Sequence, residues 1–471
     1  MIDQANPLPP LSGPPVSRWW GCFPELRRDT LGFLLRCHEY GDVVKLPMGV
    51  VLELLMRQRH AALYVLNHPA DVKHVLVTNQ DNYRKAPVPP VESRIFGQAV
   101  LHSEGETHHR QRRLLLPFFH GHHVAAYADL ITGKAHDLVA RWQDGATVDI
   151  AREMTYLTVS VIWRLLFGRD IGSEAETIRG AITVGQRLIK RQYDSLLASV
   201  TPLWVPTKLH RRFSQGHRSI DALIRRMIVE RRSALHQQDD VLGLLLAARD
   251  AESRPLSDDE IRDELVTLLL AGHETTANAL TWTWFLLSQF RSVRERLTRE
   301  LKELLGDRLP TAADVPRLRY TKMVWEESLR LYPPAWSLHT RVAQAEDKLP
   351  SGAVLPAQAW VFISPWALHR NARWFPDPNR FDPDRFSDDT HRTRLPFSYI
   401  PFGAGGRRCL GESFAELEGL LILSTIASKV SLRLVDGQTI HAEPGMTLRP
   451  DVPVQMVVRR VARVELLPAI T

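Results

Sequence analysis

Cysteine is scarce in this chain: 471 residues carry three, Cys22, Cys37 and Cys409. An odd, thinly spread set is no disulfide framework and fits a reducing, cytoplasmic setting. The first ten residues, Met1–Pro10, have no basic stretch leading into an apolar one, which argues against a secretory leader. No uncharged apolar run reaches the ~18–20 residues of a membrane-spanning helix, so no transmembrane anchor is expected. Internal repeats, low-complexity linkers and nucleic-acid-binding motifs are missing too. The net charge of +7 is spread as short pairs such as Arg27-Arg28, Arg211-Arg212 and Arg459-Arg460 rather than gathered in a tail. That pattern sets nucleic acid aside and leaves an acidic protein as a natural partner.

What is present is ample core material. Hydrophobic residues make up 44% of the chain, which excludes wholesale disorder. A single domain over residues 1–471 is expected, mainly α with a small β portion, behind an extended proline-rich lead at 1–15. A helix is read at about 28–40, and strands near Val43–Leu46 and Val51–Leu55. Helices dominate from about 100 to 300, with loops near 86–98, 200–208 and 236–240. Ser257 with Glu260 forms a capping box that opens an unusually long helical pattern to about 289. Another helix, about 314–332, stops at Pro333-Pro334. Short strands fill 339–365, and a helix follows Cys409.

The most informative stretch is Phe402-Gly403-Ala404-Gly405-Gly406-Arg407-Arg408-Cys409-Leu410-Gly411. Taken alone, a cysteine behind a Gly/Arg-rich loop is a packing residue ahead of a helix. The ordered string suits a metal thiolate instead. Backbone N–H groups of Leu410 and Gly411, and the positive end of the next helix, favour the thiolate. Glycines let the backbone approach a flat macrocycle. Phe402 can keep the sulfur dry, and the Arg407 charge suits a propionate.

Ala271-Gly272-His273-Glu274-Thr275-Thr276 lies in the middle of the long helix, where glycine and threonine are poor choices. A kink is expected there, with Glu274 and Thr275 holding water that delivers protons. A zinc-protease reading fails because Ala277 stands where the second histidine is needed. His108 and Arg112 share a helical face, as do Glu327 and Arg330.

Together these strings resemble the cytochrome P-450 superfamily of haem-thiolate monooxygenases. Phe402, Gly405, Arg407, Cys409 and Gly411 match every fixed position of its haem loop, and Ala271–Thr275 match its oxygen-activation motif. The resemblance implies the cytochrome P-450 fold, with haem b between the long helix and the cysteine-loop helix and Cys409 as the iron ligand. It implies propionate contacts from His108, Arg112, Arg341 and Arg407, and proton delivery by Glu274 and Thr275. Arg385, in a Pro-Asp-Arg-Phe box, would join Glu327 and Arg330 in a buried brace. Phe96, Val100, Leu268, Ala271, Trp336 and Met446 would touch a lipophilic substrate: a terpenoid, fatty acid, steroid or polyketide. Segment 195–213 would be the entrance lid. Arg110, Arg113 and Arg408 would form a basic patch for a ferredoxin or flavodoxin with its NAD(P)H reductase. The reaction implied is insertion of one oxygen atom of O2 by hydroxylation or epoxidation. Alternatives sharing the cysteine loop are a peroxygenase, a non-oxygenating haem-thiolate enzyme and a haem-based sensor.

Overall fold

A computed structural model describes residues 12–461 apart from 57–61, 120, 173, 195–200, 202–203, 206, 234–239 and 251–252. The elements that position the site begin with a five-stranded mixed sheet. Its strands are β1 (Val43–Pro47), β2 (Ala62–Leu66), β3 (Tyr83–Lys85), β4 (Arg341–Ala343) and β5 (Trp360–Phe362), in the order β1-β2-β5-β4-β3. The helices are α1 (Pro90–Phe96), α2 (Gly105–Leu115), α3 (Ile150–Phe167), α4 (Ala175–Asp194), α5 (Lys208–Ser233), α6 (Asp258–Gln289), α7 (Arg319–Leu331) and α8 (Glu412–Ala427).

The centre is α6. Its 32 residues span about 48 Å. The Ser257 hydroxyl accepts from the Glu260 N–H, and the Glu260 carboxylate accepts from the Ser257 N–H at 2.8 Å, so the expected capping box starts it. Helices α1, α3, α5, α7 and α8 all pack on it, which is why it is buried on most sides rather than amphipathic. Gly272 belongs to this packing. A Cβ there would come 3.0 Å from Ile162 of α3, and the Thr158 hydroxyl of α3 donates to the His273 carbonyl at 3.0 Å. The helix runs as one element through Ala271–Thr276, and glycine gives close approach of two helices.

Two local readings are corrected. Val51–Leu55 is helical, within Gly49–Met56. Its first N–H groups bond outward, Val50 to the Arg18 carbonyl and Val51 to that of Trp19, so the turn is anchored despite its β-branched residues. The loop expected at 86–98 contains α1. Pro90 starts this helix instead of breaking it, because the first turn needs no N–H. Of the expected leader at 1–15, residues 1–11 lie outside the described residues, as do 236–239 of the expected loop at 236–240.

Candidate functional site

The cysteine loop is held by backbone geometry. Gly405 has φ +68°, and a Cβ there would sit 1.8 Å from the Leu76 carbonyl oxygen, so only glycine fits. Gly406 N–H donates to the Gln80 side chain at 2.9 Å. The Cys409 N–H donates to the Phe402 carbonyl at 2.9 Å and closes the turn. Phe402 and Leu410 pack on the main core, and the Gly411 N–H points at the Cys409 sulfur. Cys409 reaches solvent, yet the protein around it pushes the thiol up to about 11; the Gly411 N–H opposes this. A thiol so placed becomes a thiolate only against a strong cation such as a metal ion.

Four cations and a histidine converge nearby. Lys85 and Arg341 are directly opposed across β3 and β4, an unfavourable register for like charges. Arg341 is buried and donates to the His339 carbonyl at 2.6 Å. Arg407 donates to the Ser103 carbonyl at 2.7 Å and pairs with Glu104 at 3.0 Å. Arg112 donates to the Arg408 carbonyl at 2.8 Å. Burial and the charges of Arg407 and Arg341 bring Lys85 down to about 7. Burial, with Arg407, Lys85 and Arg112 adding, brings His108 to about 3, so its imidazole is neutral. Arg341 falls to about 10 through burial and Arg407. Such a cluster calls for an anion. A macrocycle with two carboxylates answers it, and the residues present fit a haem. Lys85 had no signal in the sequence; strand register alone delivers it.

On α6, the Thr275 hydroxyl donates to the Ala271 carbonyl at 2.7 Å. Ala271 is exposed although His273, Glu274 and Thr276 beside it are buried, so this face of α6 borders open space inside the fold. One Glu274 oxygen accepts from the Thr447 hydroxyl at 2.5 Å, and Thr447 in turn accepts from Asn278 at 2.9 Å. The other Glu274 oxygen is buried with no partner among the described residues. His273 faces away, its Nδ1 on the Leu269 carbonyl at 2.7 Å, and burial lowers its pKa.

A small apolar pocket, partly open to solvent, lies beside this face. Phe96 and Met446 line it as expected, with Phe213, Val266, Leu270 and Glu274. Val100, Leu268, Ala271 and Trp336 do not. Val100 is tied by its N–H to Glu264 at 2.9 Å. Trp336 donates its indole N–H to the Gly445 carbonyl at 2.8 Å and packs near Leu31 and Trp366. Leu268 packs against the core. Of the expected lid, 195–200, 202–203 and 206 lie outside the described residues; Trp204 is exposed and Phe213 reaches the cavity.

Glu327, Arg330 and Arg385 do meet. Glu327 and Arg330 form a bidentate pair at 2.6 and 2.8 Å, with both side chains fully buried. Arg385 stands 3.5 Å from Glu327. Arg330 also donates to the carbonyls of His369, Pro378 and Arg380. The His369 ring, kept neutral by burial, accepts the Ile400 N–H at 2.9 Å. The brace therefore ends two residues before Phe402. The basic patch is smaller than expected. Arg110 pairs with Glu260 and Asp250, Arg408 pairs with Glu412 at 2.5 Å, and Arg113 remains exposed.

No helix among the described residues is long and apolar enough to cross a membrane. Residues 13–458 match the family model for cytochrome P-450. The chain is 36% identical over 435 residues to cyclooctatin synthase of Streptomyces melanosporofaciens, covering 92% of each chain. It is 35% identical over 438 residues to cyclooctat-9-en-7-ol 5-monooxygenase of the same organism, covering 92% of this chain and 89% of that one. The crystal structure of a cytochrome P-450 haem domain superposes with a TM-score of 0.83 at 25% identity, covering 97% of this chain and 98% of that one. With the mainly α fold and the cysteine loop, these likenesses establish that the chain belongs to the cytochrome P-450 family and is a monooxygenase of the haem-dependent class.

Proposed function

We propose that the chain is a single-domain, cytoplasmic monooxygenase that hydroxylates or epoxidises a lipophilic terpenoid, using haem b and electrons from a separate ferredoxin or flavodoxin with its NAD(P)H reductase. The observation that carries the reading is the pairing of the Cys409 loop with an apolar cavity that ends at Glu274. Haem bound through a thiolate supplies the activation of O2. Cys409 would ligate the iron, supported by the Gly411 N–H and shielded by Phe402. Lys85, His108, Arg112, Arg341 and Arg407 would hold the propionates. Glu274 keeps one oxygen on Thr447 and the other free of protein donors, so it can take a proton from water and pass it toward Thr275. The Thr275 hydroxyl, now on the Ala271 carbonyl, can rotate to donate into the open space beside it. Phe96 and Met446 would hold the substrate skeleton. A terpenoid is favoured over the other lipophilic classes by the two relatives, whose names specify cyclooctatin and cyclooctat-9-en-7-ol chemistry.

The test is reconstitution of the haem-loaded protein with a ferredoxin, its reductase, NADPH and isotope-labelled O2, offered polycyclic terpenoids. A product carrying one labelled oxygen supports the reading. Label-free product formed only with added peroxide overturns it in favour of a peroxygenase.

A further inference from the structure

One carboxylate, away from both the cavity and the cysteine loop, gathers three donors from a single short segment. Asp347 opens a hairpin in which Asp347–Lys348 pairs with Val354–Leu355. His74 Nε2 lies 3.0 and 3.2 Å from its two oxygens, Asn79 donates its amide N–H at 3.0 Å, and the Tyr83 hydroxyl donates at 2.6 Å. The three donors stand 264 to 273 positions earlier in the chain. Burial by itself would raise the Asp347 pKa; the bonds from Tyr83 and Asn79 and the nearby His74 outweigh it, so the net direction is down and the carboxyl is ionised. An ionised carboxylate only accepts, so His74 donates from Nε2.

The segment held in this way has an uncommon shape. The Asn79 N–H donates to the His74 carbonyl, five residues back, at 2.8 Å, so His74–Thr78 is a π-turn, a form concentrated at functional sites. Two oxygens of the segment meet the cysteine loop. The Leu76 carbonyl is the atom that leaves room only for glycine at 405, and the Gln80 side-chain oxygen accepts the Gly406 N–H at 2.9 Å. Further on the segment becomes β3, where Lys85 stands opposite Arg341 in the cation cluster. Asp347 therefore bonds to the start of the π-turn, to the residue just after it and to the first residue of β3. Apolar packing is already supplied there, since Val75, Leu76 and Tyr83 share a buried cluster with Leu349 and Leu355. The carboxylate adds direction by bringing three polar atoms to one point.

Resting on the reading of Cys409 as iron ligand and of Lys85 and Arg341 as propionate partners, we propose that Asp347 is a positioning residue for the haem. Its carboxylate fixes His74–Lys85, and through that segment it sets both the seat of Gly405 and Gly406 and the place of Lys85. The thiolate and the cations that answer the propionates are thus held in register by one group, which acts only through its neighbours.

The test uses the haem-loaded protein. Haem loss is timed by transfer to excess apomyoglobin, and the CO complex of the reduced protein is recorded for the share that carries the thiolate band. Asp347→Ala should speed haem loss by roughly 10-fold, the lower range for groups that orient a metal's ligands. It should also move part of the CO complex from the thiolate band to that of a neutral thiol. Asp347→Asn, which keeps an acceptor oxygen for the three donors, should restore part of both. Tyr83→Phe removes one bond and keeps the ring packed; it should show a smaller change of the same kind, and it decides the matter if Asp347→Ala does not fold. Gln80→Ala should speed haem loss too. Because Asp347 acts through the same segment, the double variant Asp347→Ala with Gln80→Ala should lose haem more slowly than the product of the two single effects. A lowered melting temperature with haem loss and CO bands at wild-type values would overturn the proposal, leaving Asp347 a brace of the fold. Single effects that simply multiply in the double variant would overturn it as well. A wild type without any thiolate band would overturn the Cys409 reading and the proposal together.

Discussion

The cysteine loop and the substrate cavity are built on opposite plans. The loop is held by backbone atoms, two of the contacts close in sequence, Cys409 to Phe402 and Gly411 toward the sulfur, with Gly405 seated against the distant Leu76 carbonyl. Its brace, Glu327 with Arg330, uses two residues three apart on one helix. The cavity has no such local kernel. Its wall is drawn from α1, α4, α5, α6 and the C-terminal turn at Met446. Thr447 reaches Glu274 across 173 positions. Shared chemistry is thus fixed by short stretches of chain, and what distinguishes one family member from another by the way distant helices settle together.

The largest effect is expected where the local plan is broken at its base. Glu327→Ala leaves Arg330 buried without its carboxylate, which costs about 3–5 kcal/mol. Because the brace reaches Ile400 through His369, the variant should emerge with little haem and a lowered melting temperature. A variant with full haem content and wild-type melting would show that the loop stands without it. Next comes Thr275→Ala. The CO complex of the reduced protein should keep its thiolate signature, while product formation falls by about 100-fold, the lower range for a positioned proton donor. Unchanged turnover with the reductase would remove Thr275 from proton delivery. Gly405→Ala tests the loop more gently. A left-handed alanine costs about 1–2 kcal/mol, and the Leu76 carbonyl must also shift. Denaturant titration should show a loss of about 2 kcal/mol or more, with haem retained less firmly.

The same contrast explains what could be read from the sequence. The capping box at Ser257, the stop at Pro333, the haem loop and the Glu327–Arg330 pair all depend on neighbours within a few residues, so spacing sufficed. Val51–Leu55 misled because it is a short, mostly apolar run, while the deciding bonds of this turn go to Arg18 and Trp19, some thirty positions away. Pro90 looked like a loop residue because the sequence does not say whether a proline opens a helix or ends one. The partner of the Trp336 indole N–H, the Gly445 carbonyl, lies 109 positions away, where no spacing announces it. Lys85 carried no motif at all. Its neighbour Arg341 comes from another strand, and only the packed fold brings the two together.

A titration inside α6 sharpens the comparison on the side of the distant helices. Glu264 is almost wholly buried on α6, where one oxygen accepts the Val100 N–H at 2.9 Å. The other has no partner among the described residues. Burial raises its pKa from 4.5 to about 8; the Val100 N–H opposes this, Asp263 and Glu260 add to it, and Arg110 opposes it. Between these two values the folded chain keeps a proton that the unfolded chain has released. Stability therefore falls as pH rises from about 4.5 to about 8 and levels above that. Glu418 of α8 is also raised to about 8 by burial, opposed by the Thr276 hydroxyl, and adds a contribution of the same sign. Glu264→Gln removes the Glu264 contribution alone. The difference between wild-type and variant unfolding free energies should slope by at most about 1.4 kcal/mol per pH unit inside the window and be flat above it. A flat difference throughout would mean that Glu264 is ionised in the fold at neutral pH, with a cation or water reaching its second oxygen. The interior beside Val100 would then be wetter than its burial indicates, and Val100 would be held by a charged rather than a neutral acceptor.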